Sequence, residues 1–148
     1  MPIPALNKDG LLPEGIHDCS LEEIEARFGS FQDSDRRIRL WAALQAFIGE
    51  SKATGLGLAL LVNGSFATAK PAPEDIDLIL VLPAEHDFSR ELSPAQYNVL
   101  SAQRVRRRHK LDLLVARSDS DQYRRYLRLF QQVRLEPRKT KGILRVRL

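Results

Sequence analysis

Two aspartates open the most apolar segment of this chain, and their spacing is suited to binding a cation. The segment Asp75-Ile76-Asp77 is followed by an unbroken apolar run. On a strand, side chains two positions apart point to the same face, so the two carboxylates would project together. The residues that would project to the other face are Ile76, Leu78, Leu80 and Leu82. Carboxylates held side by side repel each other, and a hard cation with oxygen ligands relieves that repulsion. The spacing predicts a magnesium site, although acidic residues also open strands after turns that contain proline.

A Gly-Ser pair lies upstream, between a first apolar run and a short polar connection. Glycine lets a backbone approach a ligand closely, and a turn at this place offers N–H groups and a hydroxyl to an anionic group. Gly64 and Ser65 are therefore candidates for binding the phosphates of a nucleotide, and Lys70 is a candidate for neutralising their charge. An ordinary surface role is the alternative for Lys70.

A third aspartate repeats the same local pattern. Asp112 lies between Leu111 and Leu113 in a predicted strand over Lys110–Arg117. A lone buried carboxylate is costly, so its presence inside an apolar run favours a shared site with Asp75 and Asp77.

The whole stretch from Gly57 to Leu82, GLALLVNGSFATAKPAPEDIDLILVL, resembles the active-site signature of the DNA polymerase β-like nucleotidyltransferases in their minimal, single-domain bacterial form. With Asp112 included, the resemblance extends to about Ala116. It implies an α/β (α+β) domain with a small mixed sheet flanked by helices. It also implies that Asp75, Asp77 and Asp112 bind two magnesium ions and that Asp112 activates the acceptor hydroxyl.

The resemblance further implies a reaction and a setting. Gly64 and Ser65 would hold the triphosphate of an NTP, with ATP the expected nucleotide, and an NMP group would pass to an acceptor. Compact relatives include toxin–antitoxin and phage-defence enzymes that modify RNA or protein, and drug-modifying transferases. We therefore expect an RNA or protein acceptor and a cognate partner protein. The alternatives are a non-catalytic nucleotide- or RNA-binding module of the same fold, and an antitoxin-type protein whose function is its interface.

Composition agrees with one globular domain over residues 1–148. Hydrophobic residues make up 43% and charged residues 28% of the chain, and the net charge is +4, which favours polyanionic partners. Cys19 is the only cysteine, so no internal disulfide can form. No apolar run is long enough to cross a membrane, and the first fifteen residues lack the pattern of a signal peptide, so we expect a cytoplasmic location.

Periodicity and capping patterns predict an irregular N-terminal arm over residues 1–19 and a core over about 33–148. Helices are predicted over 20–28, from Asp33 or Ser34 to Lys52, over 93–103 and from Ser118 or Ser120 to 134, with a helical turn over 65–70. Capping patterns, Ser-Leu-Glu-Glu from Ser20 and Ser-Pro-x-Gln from Ser93, mark the start of the first and third helices. Strands are predicted over 57–62, 75–82, 110–117 and in the tail KGILRVRL, the last at an edge of the sheet.

Two basic clusters in the sequence can each be interpreted in two ways. The cluster of Arg36, Arg37 and Arg39 at the start of the long helix forms either a solvated face or a contact to triphosphate or RNA. The run over residues 104–110, RVRRRHK, is either solvated or steers a polyanionic substrate.

Overall fold

A computed structural model describes residues 3–29, 35–133 and 136–148. In this part of the chain a five-stranded mixed sheet has helices on both faces, which is an α/β arrangement. Two further short strands pair antiparallel in a separate two-stranded sheet. The strands are β1 Ile16–Asp18, β2 Ala59–Asn63, β3 Asp77–Leu82, β4 Asp112–Arg117, β5 Gln132–Val133, β6 Glu136–Thr140 and β7 Ile143–Arg147.

The described residues include five α-helices, two of which begin at capping boxes expected from the sequence. The side chains of Ser20 and Glu23 satisfy each other's backbone N–H groups, and Ser93 and Gln96 do the same. The helices are α1 Leu21–Ile24, which continues as a π-helix over Glu25–Gly29, α2 Arg36–Thr54, α3 Pro94–Leu100, α4 Ala102–His109 and α5 Asp121–Gln131.

The strand order in the large sheet is β1-β7-β2-β3-β4. Strands β2 and β3 pair antiparallel and are joined by residues 64–76 without a crossover, whereas β3 and β4 pair parallel across the α3–α4 crossover. The tail strand β7 lies between β1 and β2. The prediction that it forms an edge was therefore wrong.

The sheet is buried on both faces. Leu60, Leu78 and Leu144 pack beneath the helices α1 to α4, and Leu61 and Ile79 pack beneath α5. The alternation predicted for the second strand is confirmed, because Ile76, Leu78, Leu80 and Leu82 all belong to the first of these two clusters.

The N-terminal segment contributes more than a surface arm. Residues 16–18 form β1, which pairs parallel with β7, so the prediction of an irregular segment over 1–19 does not hold there. Ile3 and Leu12 are buried in the main core, together with Ile24 and Phe28. The packed core thus extends to residues well before position 33, where the sequence placed its beginning.

Several predicted boundaries differ from the structure. Asp75 precedes β3, which starts at Asp77, and the helical turn predicted over 65–70 is a short 3-10 helix over Ser65–Ala67. The helix predicted over 93–103 is interrupted at Ser101, whose side chain caps α4. The proposed caps Asp33 and Ser34 lie outside the described residues, as does Arg134 at the predicted end of the last helix.

Candidate metal and nucleotide site

The three aspartates singled out from the sequence come together. One carboxylate oxygen from each of Asp75, Asp77 and Asp112 lies within 4.8 Å of the others. The sheet explains two of the positions, because Asp77 and Asp112 are paired residues at the start of the parallel strands β3 and β4. Asp75 reaches the same place from the loop before β3, so the convergence does not depend on all three side chains sharing one strand face.

Asp75 is held by the Gly-Ser turn. Both the hydroxyl and the backbone N–H of Ser65 donate to Asp75 Oδ1, at 2.7 and 3.0 Å. The Ser65 hydroxyl oxygen in turn accepts from the backbone N–H of Glu74 at 2.9 Å. Two of the donors that the sequence assigned to phosphate are thus bound to one of the predicted metal ligands.

Gly64 permits this contact. Its φ is +91°, a conformation that side chains disfavour. A Cβ atom there would lie 3.0 Å from the carbonyl oxygen of Asp75 and 3.1 Å from the backbone nitrogen of Asp77. The glycine therefore lets the turn lie directly against the Asp-x-Asp segment.

The electrostatics of the cluster centre on Asp77. Burial, together with the neighbouring charges of Asp75 and Asp112, raises the pKa of Asp77 to about 6. Lys141 opposes this effect through its positive charge. Burial also lowers the pKa of Lys141, although the charges of Asp77 and Asp75 partly offset that decrease. A carboxylate with a raised pKa among two others is an environment that a divalent cation would stabilise.

Asp112 is more accessible than its apolar neighbours indicated. Its side chain is 52% exposed, and Arg106 Nη1 lies 3.2 Å from its Oδ1. The expectation of a buried carboxylate was therefore wrong. Asp112 borders solvent and a cavity on one side of the cluster, while Asp77 is the more enclosed of the two.

A cavity of about 980 Å³ adjoins the cluster. Asp77, Asp112, Asn63 and Lys141 contribute the polar groups near the aspartates. The rest of the wall is largely apolar and comes from Leu111, from β4, from the end of α5 and from β5, with Ala102, Gln103 and Arg106 of α4 completing it.

Lys70, the predicted neutraliser of phosphate charge, pairs with a carboxylate of its own segment. Its Nζ lies 3.6 Å from Glu74 Oε1, in an exposed pair, and Lys70 is not one of the residues that line the cavity. Its role in nucleotide binding stays a prediction.

Arg37 is a structural residue, contrary to both interpretations of its cluster. It is fully buried in α2, and its guanidinium donates to four backbone carbonyl oxygens, those of Phe28, Phe66, Thr68 and Lys70, at 2.6 to 3.1 Å. Three of these carbonyls belong to the segment that follows the Gly-Ser turn. Arg37 thus fixes that segment against the helix layer, which in turn positions the turn beside Asp75.

The basic run over 104–110 is largely helical. Residues 104–109 belong to α4, which ends at Lys110 in a left-handed conformation. Arg108 and His109 both contact Glu50 of α2, at 2.7 and 2.6 Å, and Arg106 contacts Asp112. Part of this charge is therefore neutralised by the protein's own carboxylates.

Two residues near the aspartates were missed by sequence reasoning. Asn63 pairs with Asp77 across β2 and β3, and its side-chain N–H donates to the carbonyl oxygen of Phe130 at 3.1 Å, which links α5 to the sheet. A polar residue closing an apolar run just before Gly64 was a usable signal for it. Lys141 had no such signal, because only the return of the tail to the sheet brings it to the cluster.

None of the helices in the described ranges combines the length and the apolar character that crossing a membrane requires.

Comparison with known proteins gives a family but no activity. Neither the curated proteins nor the solved structures include a match to this chain. One family model matches residues 4–147, which covers both the carboxylate cluster and the segment that contains β1. The chain belongs to this family, which is described as a family of unknown function, DUF6932.

Proposed function

We propose that this protein is a nucleotidyltransferase of polymerase β-like fold, which transfers an NMP group from an NTP, with ATP the expected donor, to a hydroxyl of an RNA or protein acceptor. The observation that carries the proposal is the convergence of Asp75, Asp77 and Asp112 beside the Gly64-Ser65 turn. A set of oxygen ligands without histidine or cysteine suits magnesium better than zinc or a softer metal. The raised pKa of Asp77 also fits a site whose charge a cation would balance.

The proposed chemistry assigns one role to each part of the site. The three carboxylates would hold two magnesium ions, whose positive charge would neutralise the charge that develops as pyrophosphate leaves. Asp112, the most exposed of the three, would accept the proton of the attacking hydroxyl. The Gly-Ser turn would keep Asp75 oriented and face the triphosphate. A toxin–antitoxin or phage-defence setting stays a prediction.

The decisive experiment is transfer of label from α-³²P-ATP, and then from the other NTPs, to total RNA or to lysate proteins in the presence of magnesium. The Asp75→Ala/Asp77→Ala protein should lose the transfer. A matched control is Asp87→Ala/Asp121→Ala, which removes the same charge from two exposed positions away from the cluster and should keep it.

Binding separates the enzyme from the non-catalytic alternative. Wild-type protein that binds nucleotide only with magnesium, but transfers nothing to any acceptor, would favour a binding module of the same fold. Equal label transfer by the wild type and the Asp75→Ala/Asp77→Ala protein would refute the proposed site.

A further inference from the structure

The cavity next to the aspartates has the size and character of a small-molecule site. Its volume of about 980 Å³ lies at the upper end of the range for such sites, roughly 300 to 1,000 Å³. Sites of this kind are mainly apolar with a few polar groups that fix orientation. The apolar side chains of the wall are Leu111, Leu113, Leu114, Leu129, Phe130 and Val133.

The cavity adjoins only one side of the carboxylate cluster. Asp77 and Asp112 line it, whereas Asp75, Gly64 and Ser65 are not among the residues of its wall. In the proposed function the triphosphate lies on the side of the Gly-Ser turn and the attacking hydroxyl lies at Asp112. The cavity is therefore on the acceptor side of the reaction.

The charges at the wall do not favour a polyanion. Two cationic side chains are present, but Arg106 is 3.2 Å from the Asp112 carboxylate and Lys141 interacts with Asp77 and Asp75. A phosphodiester placed here would face two carboxylates and a largely apolar wall, and the amides of Asn63, Gln103 and Gln132 would replace only part of its hydration. An uncharged group that buries apolar surface would gain from the same wall.

We propose that this cavity binds the acceptor, and that the acceptor is an uncharged alcohol with an apolar body, either a free molecule or a hydroxyl side chain of a protein. The inference rests on the proposed function and narrows its acceptor class, since it excludes an RNA hydroxyl. The alcohol would lie with its apolar body against Leu129 and Phe130 and its hydroxyl at Asp112.

The reaction balances without any further reactant. The acceptor O–H proton passes to the Asp112 carboxylate as the acceptor oxygen forms a bond to the α-phosphorus. The bond from the α-phosphorus to the bridging oxygen of the β-phosphate breaks, and its electron pair leaves with pyrophosphate. The product is a nucleotidylated alcohol.

The first test measures binding alone, without nucleotide or metal. The probe is 4-fluorophenol, an uncharged phenol whose ring supplies the apolar body and whose hydroxyl stands in for that of the acceptor; fluorine NMR detects its binding. Leu129→Glu places a charge at the cavity wall, and because Leu129 is 59% exposed the substitution should not prevent folding. The matched control is Ile38→Glu, on the surface of α2 at 55% exposure and away from the cavity.

Wild type and Ile38→Glu should bind the probe equally, and Leu129→Glu at least about tenfold more weakly, because a charge would then lie against the apolar ring. Absence of binding by the wild type, or equal binding by all three proteins, would overturn the inference.

The second test follows label from α-³²P-ATP with magnesium in three separate arms: 4-fluorophenol, lysate proteins and total RNA. Label on the phenol or on proteins that falls at least about tenfold in Leu129→Glu, with magnesium-dependent nucleotide binding unchanged, supports the inference and identifies the source of the alcohol. If RNA is labelled and the amount of label is the same in Leu129→Glu as in wild type, the inference is refuted and the proposed function is supported. If no arm is labelled and the protein shows no magnesium-dependent nucleotide binding, both the proposed function and this inference are refuted.

Discussion

Ser65 donates its hydroxyl and its backbone N–H to the same oxygen of Asp75, at 2.7 and 3.0 Å. This pair of hydrogen bonds joins the Gly-Ser turn to the carboxylate cluster. It fixes the orientation of Asp75, which has no strand backbone to hold it, since β3 begins only at Asp77. Cation binding and the geometry of the turn should therefore depend on each other.

Replacing Ser65 tests this dependence. We expect Ser65→Ala to lower the free energy of unfolding by about 1–2 kcal/mol and to weaken the binding of magnesium or manganese, because Asp75 loses a charge-assisted hydrogen bond. Denaturant unfolding measures the change in stability, and calorimetric titration measures the change in cation affinity. Ser89 provides a matched control, because its hydroxyl and N–H make the same two bonds to Asp87 in an exposed loop. Ser89→Ala should leave the cation affinity unchanged. Equal losses of cation affinity in Ser65→Ala and Ser89→Ala would contradict the role of Ser65 in orienting Asp75.

Arg37 should be far more important for stability than Arg39, which lies two residues further along the same helix. Arg37→Met leaves four carbonyl oxygens without their donor in a buried place, and we expect a loss of about 3–5 kcal/mol in the free energy of unfolding. Arg37→Lys should not restore the lost stability, because a lysine ammonium cannot reach the four carbonyl oxygens that the planar guanidinium of arginine contacts. Arg39→Met, which removes only an exposed pair with Asp35, should cost about 0.5 kcal/mol or less. Similar losses for the two methionine variants in urea unfolding would refute the structural role.

The pKa of Asp77 gives stability a definite pH dependence. The folded-state pKa of about 6 lies above the unfolded value of 3.8, so between these values the native state binds more protons than the unfolded state. The free energy of unfolding should therefore decrease as pH rises from about 4 to about 6. Asp77→Asn should remove this decrease and be more stable than wild type at pH 7, by on the order of 1–3 kcal/mol. Unfolding curves across pH, without divalent cation, measure the effect, and a wild-type stability that rises through this range relative to Asp77→Asn would contradict it.

Lys141 should act on the same carboxyl group. Its positive charge lowers the pKa of Asp77, so Lys141→Met should raise that pKa above its wild-type value. Carboxyl-carbon NMR titration of Asp77 measures the change directly. Lys139→Met is the control, since Lys139 pairs with Asp9 and Glu136 outside the cluster, and it should leave the Asp77 titration unchanged. A pKa that stays constant in Lys141→Met would show that the two groups do not interact.

Local chemistry was readable from the sequence. The capping boxes at Ser20 and Ser93 form within three residues of chain, so no tertiary contact is needed to predict them. The alternation of Asp77 with Ile76 and Leu78 likewise follows from strand geometry. It correctly predicted that Ile76 and Leu78 lie on the same face of the sheet, in the main core. The break at Ser101 was also local and was missed, because a second cap inside a continuous helical pattern is a weaker signal than the first.

Tertiary structure decided the features that join distant segments. Arg37 belongs to a basic cluster in the sequence, and only the carbonyls brought beneath it by folding make burial of its guanidinium favourable. The position of β7 between β1 and β2 depends on pairing with two strands that are distant from it in the sequence, over residues 16–18 and 59–63, which a strand pattern does not encode. That placement also brings Lys141 to the aspartates. The candidates for binding a cation could be identified before folding was considered, because they follow from side-chain chemistry and local spacing. The folded sheet decided how they meet, because pairing of β3 with β4 and the Ser65 contact to Asp75 are long-range relationships.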